Sequence, residues 1–151
     1  SFTVDAMPET MKSTSLLLLK SHSKVNLDRA IAAKGRLGVH FGAGHIDGNG
    51  TMLNKKQNYN AIYYKIAISD ELLRYCLHKG SITVDGTSLT KFDIDEYSIT
   101  ISLIPHTVRK SVIGENNAVE IINIECEIIG NYTERCSIKH VKLQGSMTEN
   151  F

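Results

Sequence analysis

Apolar and polar positions alternate with a period of two through much of the second half of this chain. In Tyr97–Leu103 the apolar positions are Tyr97, Ile99, Ile101 and Leu103, while Ser98, Thr100 and Ser102 point the other way. Successive side chains of a strand face opposite sides, so this segment predicts a half-buried strand with a hydroxyl-rich second face. Ile82 and Val84 alternate with Ser81 and Thr83, Asp85-Gly86 supplies a turn, and Leu89 belongs to the next strand. Asp95-Glu96 is placed to turn the following hairpin, and residues 121–129 form another β-rich run. Many short strands divided by turn residues predict an all-β fold, a closed Greek-key barrel or a sandwich. One helix interrupts them. Ser69 or Asp70 caps it, Glu71 suits its first turn, and Leu72, Leu73, Tyr75, Cys76 and Leu77 give it an apolar face. His78 and Lys79 favour its C-terminal end, and Gly80 is its expected stop.

The strand pattern occurs twice. SFTVDAMPETMK at 1–12 returns as SITISLIPHTVR at 98–109, with four identical residues and six conservative exchanges. Pro8 falls on Pro105 and Asn26 on Asn123, a constant offset of 97 residues, so VNLDRAI at 25–31 answers INIECEI at 122–128. A repeat of this length is far longer than a solenoid unit and has the size of a small domain. The expected organisation is the end of a first copy over 1–36, a complete second copy over 37–134, and a polar tail or docking helix over 135–151. The sequence opens inside a strand pattern.

Composition narrows the class. The 151 residues carry a net charge of +1, which leaves no electrostatic footprint for nucleic acid or an anionic membrane surface. The longest early apolar run, Leu16–Leu19, is too short for a signal-peptide core or a membrane span. Cys76, Cys126 and Cys136 are odd in number and form no CxxC pair, which favours a reducing cytoplasm over a disulfide framework.

The candidate chemistry is sparse. His40 and His45 lie in HFGAGHIDG, but five residues apart on a strand they face opposite ways, and neither HExxH nor paired cysteines accompany them, so no metal site is expected. Ser88 and Thr90 share a strand face. They are either ordinary strand hydroxyls on a wet surface or, on a barrel's inner or mouth face, groups that grip a polyol or the carbonyls of a heterocycle. Lys79 is either a solvated cation or a ligand contact, and Glu125 and Glu127 share a face without declaring a role. There is no phosphate loop and no nucleophile–base set, so any chemistry proceeds by positioning and proton transfer.

GHIDGNGTM, KGSITVDGTSLT, SITISLIPHT and INIECEIIGNY, with MPET, VNLDRAI and RLGVHFGAGH in the earlier copy and the junction, resemble the lumazine-binding domain of the alpha-chain riboflavin synthases. The resemblance spans residue 1 to about residue 135. It implies six-stranded Greek-key barrels, here a complete second barrel preceded by the C-terminal part of a homologous first one, usually assembled as a homotrimer. It also implies a dismutation. One molecule of 6,7-dimethyl-8-ribityllumazine donates a four-carbon unit to another, giving riboflavin and 5-amino-6-ribitylaminouracil, with no cofactor and no metal. The family places its active site between the first barrel of one subunit and the second barrel of a neighbour. Association with lumazine synthase is a further expectation.

Carried over by motif, the substrate-binding residues are Gly44, His45 and Ile46, then Lys79, then Ser88, Leu89 and Thr90. The strand end of the second barrel adds Ser102, Leu103, Ile104, Pro105, His106 and Thr107. Asp5, Ala6, Met7, Pro8, Glu9 and Thr10 form its counterpart in the first copy. His45, Ser88 and Glu127 are the catalytic candidates, Glu127 standing where the family usually has an aspartate thought to assist proton transfer. Backbone groups at Ile104-Pro105 are expected to meet the pyrimidine edge. Val39, Ala43 and Lys91 depart from the family pattern, and most of the first barrel, including the family's N-terminal phenylalanine and Cys-Leu-Thr motif, has no counterpart in this sequence. The other reading of the same motifs is a non-catalytic lumazine or flavin carrier.

Overall fold

The computed structural model describes residues 1–27, 29, 30, 32, 34, 42–115 and 120–128. Six strands close into an antiparallel barrel: β1 (Gly48–Asn58), β2 (Ala61–Ala67), β3 (Ser81–Val84), β4 (Thr87–Ile94), β5 (Ser98–Leu103) and β6 (Ile121–Cys126), in the order β1-β2-β5-β4-β3-β6. The hairpin-linked strands β3, β4 and β5 with β2 returning beside β5 make a Greek key. Closure leaves no strand edge open within the barrel.

The period-two pattern is what fills it. Ile99, Ile101 and Leu103 of β5 point inward beside Tyr64 and Ile66 of β2, Ile82 and Val84 of β3, and Ile122 and Ile124 of β6, all essentially without exposure. β-branched side chains suit both the pleat and the small cavity of a six-stranded barrel. The interior is therefore packed, and the barrel's inner face has no room for a ligand. Gly50 is required by that packing, because a Cβ there would sit 2.8 Å from Cγ2 of Ile66. Ser98 departs from the alternation. It is fully buried, and its hydroxyl donates to Asp95 Oδ1 at 2.8 Å, while Tyr97 is left exposed.

The Asp85-Gly86 turn forms as the sequence predicts. Both residues have positive φ, 44° and 77°, the geometry that matches the twist of a two-residue hairpin. The helix after Ser69 is shorter than its apolar pattern suggests. α2 covers only Asp70–Arg74, capped by the Ser69 hydroxyl. The Tyr75 and Cys76 N–H groups fall back on the carbonyls of Leu72 and Leu73, and a separate turn closes with Gly80 N–H on Leu77 O at 2.9 Å. Gly80 thus ends that turn and not the helix.

Two short helices follow the prolines of the repeat: α1 (Pro8–Ser13) and α3 (Pro105–Lys110), each leading into a 3₁₀ turn, Ser15–Leu18 and Val112–Gly114. Proline pre-sets φ at a first helical position, so Pro105–Thr107 is helical where a strand end was expected. No strand is assigned among the described residues before Gly48. Phe2 and Val4, the counterparts of Ile99 and Ile101, are 70% and 75% exposed, so these two side chains are not packed as their second-copy counterparts are. The described strands pair only with one another and leave none to flank residues 1–6. His40, Val39 and the tail from 135 lie outside the described residues.

Candidate functional site

The outward face of β4 carries the chemistry. Ser88 and Thr90 are exposed on it, while Leu89 and Lys91 turn toward the interior. The register with β5 slips between Lys91 and Asp93, so Phe92 is an extra residue on β4. Such a bulge re-aims side chains, and it leaves Phe92 and Asp93 both facing solvent. Phe92 packs edge-on against Tyr63 of β2, ring centroids 5.2 Å apart.

Two clefts adjoin this face. The first, about 410 Å³, lies between the β3–β4 hairpin and α3; Gly86, Thr87, Ser88, His106 and Thr107 line it together with Asn26 and Leu27 from the first copy. The second, about 470 Å³, is lined by His78, Lys79, Thr90, Phe92, Asp93 and Ser102, with Lys91 beneath. Each has the volume of a small-molecule site. Lys79 reaches its cleft from a turn in which it holds a left-handed φ of 62°, a conformation that costs a non-glycine residue about 1 kcal/mol. His78 Nε2 lies 3.8 Å from Asp93 Oδ1 at the rim.

Below the second cleft Lys91 is 1% exposed. Its ammonium donates to the Ser81 carbonyl, the contact that holds it at the end of the barrel. Burial pushes the Lys91 pKa down, opposed by Cys76, Cys126 and Glu127. Cys76 is held below its ordinary value, first by hydrogen bonding with Cys126 and further by Lys91, against the opposing effect of burial. Cys126 is pushed up by its hydrogen bond with Cys76 and by burial, against the opposing effect of Lys91.

The structure thus gathers Ser88, His106 and Thr107 on one cleft and Lys79, Thr90 and Ser102 on the other. Leu89 and Leu103 go elsewhere, because strand alternation turns them toward the core. Ile104 is exposed, but its carbonyl already accepts from Val108 N–H at 3.1 Å, and Pro105 has no N–H to offer. The Ile104 N–H and the second lone pair of its carbonyl are the backbone groups left for the expected contact to a pyrimidine edge.

Gly44 adopts φ 73° and donates its N–H to Glu125 Oε1 at 2.9 Å, which pins the GHID segment against the outer face of β6. Ile46 is half-buried there and His45 is exposed. Neither His45 nor Glu127 lines the two clefts. Glu125 shares a cross-strand row with Thr83 and Ser88. Asp5, Ala6, Met7, Pro8, Glu9 and Thr10 are all exposed and line neither cleft.

Asn26 and Phe92 were not foreseen as site residues. Asn26 was visible only as an alignment anchor of the repeat. A bulge is a property of two paired strands, so nothing in the β4 sequence alone announces Phe92.

Hydroxyls, an ammonium and an exposed ring on one barrel face suit a heteroaromatic ligand that bears a polyol chain. A closed barrel with this outer-face site defines a small-molecule-binding β-barrel. The lumazine binding domain profile matches residues 43–127. Riboflavin synthase of Bacillus subtilis (strain 168) is 47% identical over 152 aligned residues, covering 99% of this chain and 71% of that protein. Riboflavin synthase of Actinobacillus pleuropneumoniae is 47% identical over 138, covering 91% of this chain and 64% of that one. Solved structures of LumP complexed with 6,7-dimethyl-8-(1'-D-ribityl) lumazine and with riboflavin share the fold, with TM-scores of 0.70 and 0.71. They are 21% and 23% identical, cover 79% and 78% of this chain, and are themselves covered over 64% of their length. The chain belongs to the lumazine-binding domain family of the riboflavin synthases. Among the described residues no helix is long and apolar enough to cross a membrane.

Proposed function

We propose that this chain carries a lumazine site of a riboflavin synthase and takes part in the dismutation of two 6,7-dimethyl-8-ribityllumazine molecules to riboflavin and 5-amino-6-ribitylaminouracil. The observation that carries the reading is the convergence of Lys79, Ser88, Thr90, Ser102, His106 and Thr107 on adjoining clefts, although three separated motifs supply them. Ser88 and Thr90 offer hydroxyls to the ribityl chain, and Phe92 offers a face to the ring. The C7 methyl of one lumazine loses a proton, and the ring delocalises the resulting charge, so a modest base suffices. His45, Ser88 and Glu127 are the proposed catalytic residues, with His45 and Glu127 as proton carriers. The fuller proposal is a cytoplasmic homotrimer, able to associate with lumazine synthase; light scattering on the purified chain tests the assembly.

Titration with riboflavin, followed by quenching of its fluorescence, tests the site. Ser88→Ala is expected to weaken binding about two- to twelvefold, the loss of one ligand hydrogen bond. Turnover is tested by incubating concentrated chain with 6,7-dimethyl-8-ribityllumazine and following riboflavin absorbance. Riboflavin formation supports the synthase. Tight binding without turnover at any chain concentration would assign a carrier, and no binding at millimolar ligand would remove the site.

A further inference from the structure

The two sequence copies touch through a contact that maps onto itself when they are exchanged. Asn123 Oδ1 accepts from the N–H of Ser15 at 2.7 Å, and Asn26 Oδ1 accepts from the N–H of Val112 at 3.1 Å. The offset of 97 residues converts Asn26 into Asn123 and Ser15 into Val112. Each copy therefore sends one asparagine to the start of the 3₁₀ turn of the other. The elements beneath match as well. The Thr14 hydroxyl donates to Thr10 O at 2.7 Å and the Ser111 hydroxyl to Thr107 O at 2.8 Å, again 97 residues apart. A contact in which i meets j and j meets i is that of a two-fold interface, here within one chain.

Asn26 does more than cap Val112. Its Nδ2 donates to the Asp85 carbonyl at 2.6 Å and to Thr87 Oγ1 at 3.2 Å. It thereby ties the β3–β4 hairpin to the segment after α3, the two walls of the cleft that holds Ser88, His106 and Thr107. Asn123 is placed differently. Among the described residues its side chain bonds Ser15 alone, through the N–H and, as a donor from Nδ2, the hydroxyl at 2.8 Å, while its hold on Asp85 runs through its backbone.

We infer that Asn26, a residue of the first copy, is a positioning residue of the second copy's cleft, setting the distance between the hairpin that carries Ser88 and the helix that carries His106. That it sets ligand affinity rests on the reading that this cleft binds lumazine. The bracing itself does not.

Two measurements separate them. Amide hydrogen exchange on the free chain is expected to accelerate about tenfold in both 85–88 and 111–114 on Asn26→Ala, because both walls lose their tie. Asn123→Ala is expected to leave these segments unchanged and to accelerate exchange at Ser15. Should Asn26→Ala fail to fold, Asn26→Asp keeps the acceptor for Val112 and loses the donor, so acceleration is expected in the hairpin alone. Exchange unchanged in the two walls, or moved equally by Asn26→Ala and Asn123→Ala, overturns the proposal. Riboflavin titration gives the second readout. Asn26→Ala is expected to lower affinity about fivefold or more and Asn123→Ala less than about twofold. A purely structural role would move the melting temperatures of both variants and the affinity of neither. A wild-type chain that binds no riboflavin defeats the proposed function, while the exchange pattern still decides the bracing.

Discussion

Lys91 is the residue at which this barrel is most at odds with its own interior. It points inward between strands of isoleucine, nearly without exposure, where the family pattern has an apolar side chain. Its ammonium has the Ser81 carbonyl as partner, with Cys76, Cys126 and Glu127 as electrostatic neighbours. Burial outweighs them and depresses its pKa, so between the folded value and the ordinary value of about 10.4 the unfolded chain binds more protons and stability rises with pH. Lys91→Leu is expected to stabilise the protein at pH 7 by about 1 kcal/mol or more, since an apolar isostere avoids desolvating a cation. The advantage over wild type should shrink as pH approaches 10. Urea unfolding of both proteins at the two pH values checks this, and a variant less stable at both would show that the Ser81 and cysteine contacts outweigh the desolvation. The sequence disclosed that Lys91 was unusual in its place. It did not disclose that the side chain is buried, because that depends on the turn at 75–80 closing over it.

Among the elements, the hairpin from β4 into β5 is held by one cluster. Asp95 accepts from Lys65 Nζ of β2 at 2.7 Å, from the Ser98 hydroxyl at 2.8 Å and from Tyr97 N–H at 3.1 Å. Lys65 also sits 5.2 Å from the centroid of the Tyr97 ring. Lys65 first, then Ser98, lowers the Asp95 pKa to about 2, and Asp95 raises that of Lys65. A depressed carboxylate contributes stability above its unfolded pKa of about 3.9, lost as pH falls through the folded value. Asp95→Asn is therefore expected to melt earlier than wild type at pH 7, with the difference gone near pH 2. Thermal melts across that range test it, and a difference independent of pH would mean that only the shape of the turn matters. The strands here were legible because period two is a local signal, and Asp85-Gly86 was legible because its turn demands left-handed residues. The reach of α2 was overestimated because Leu72–Leu77 stays apolar past the point where the chain turns to deliver Lys79. α3 was read as a strand end because the Ile99–Leu103 alternation runs straight into Pro105, and the bulge at Phe92 exists only in the pairing of two strands.

At the scale of the whole molecule, one closed barrel meets a reaction that consumes two identical molecules. The described residues form a single barrel with two clefts beside the β4 face, and Asp5–Thr10, the counterpart of Ser102–Thr107, stands exposed and lines neither. The sequence displays no nucleophile–base set, so the main rate advantage available is holding two lumazines in contact, worth up to about 7–11 kcal/mol. One barrel supplies half of that arrangement. Turnover by the 151-residue chain should then arise when barrels of two chains face one another. The rate per chain is expected to rise with chain concentration until pairing saturates, while riboflavin affinity per chain stays constant. Initial rates at saturating lumazine, measured over a wide range of chain concentrations beside light scattering on the same samples, make the comparison. A rate per chain that is flat down to concentrations where the protein is monomeric would place both reactants on one barrel and overturn this account of how the site works.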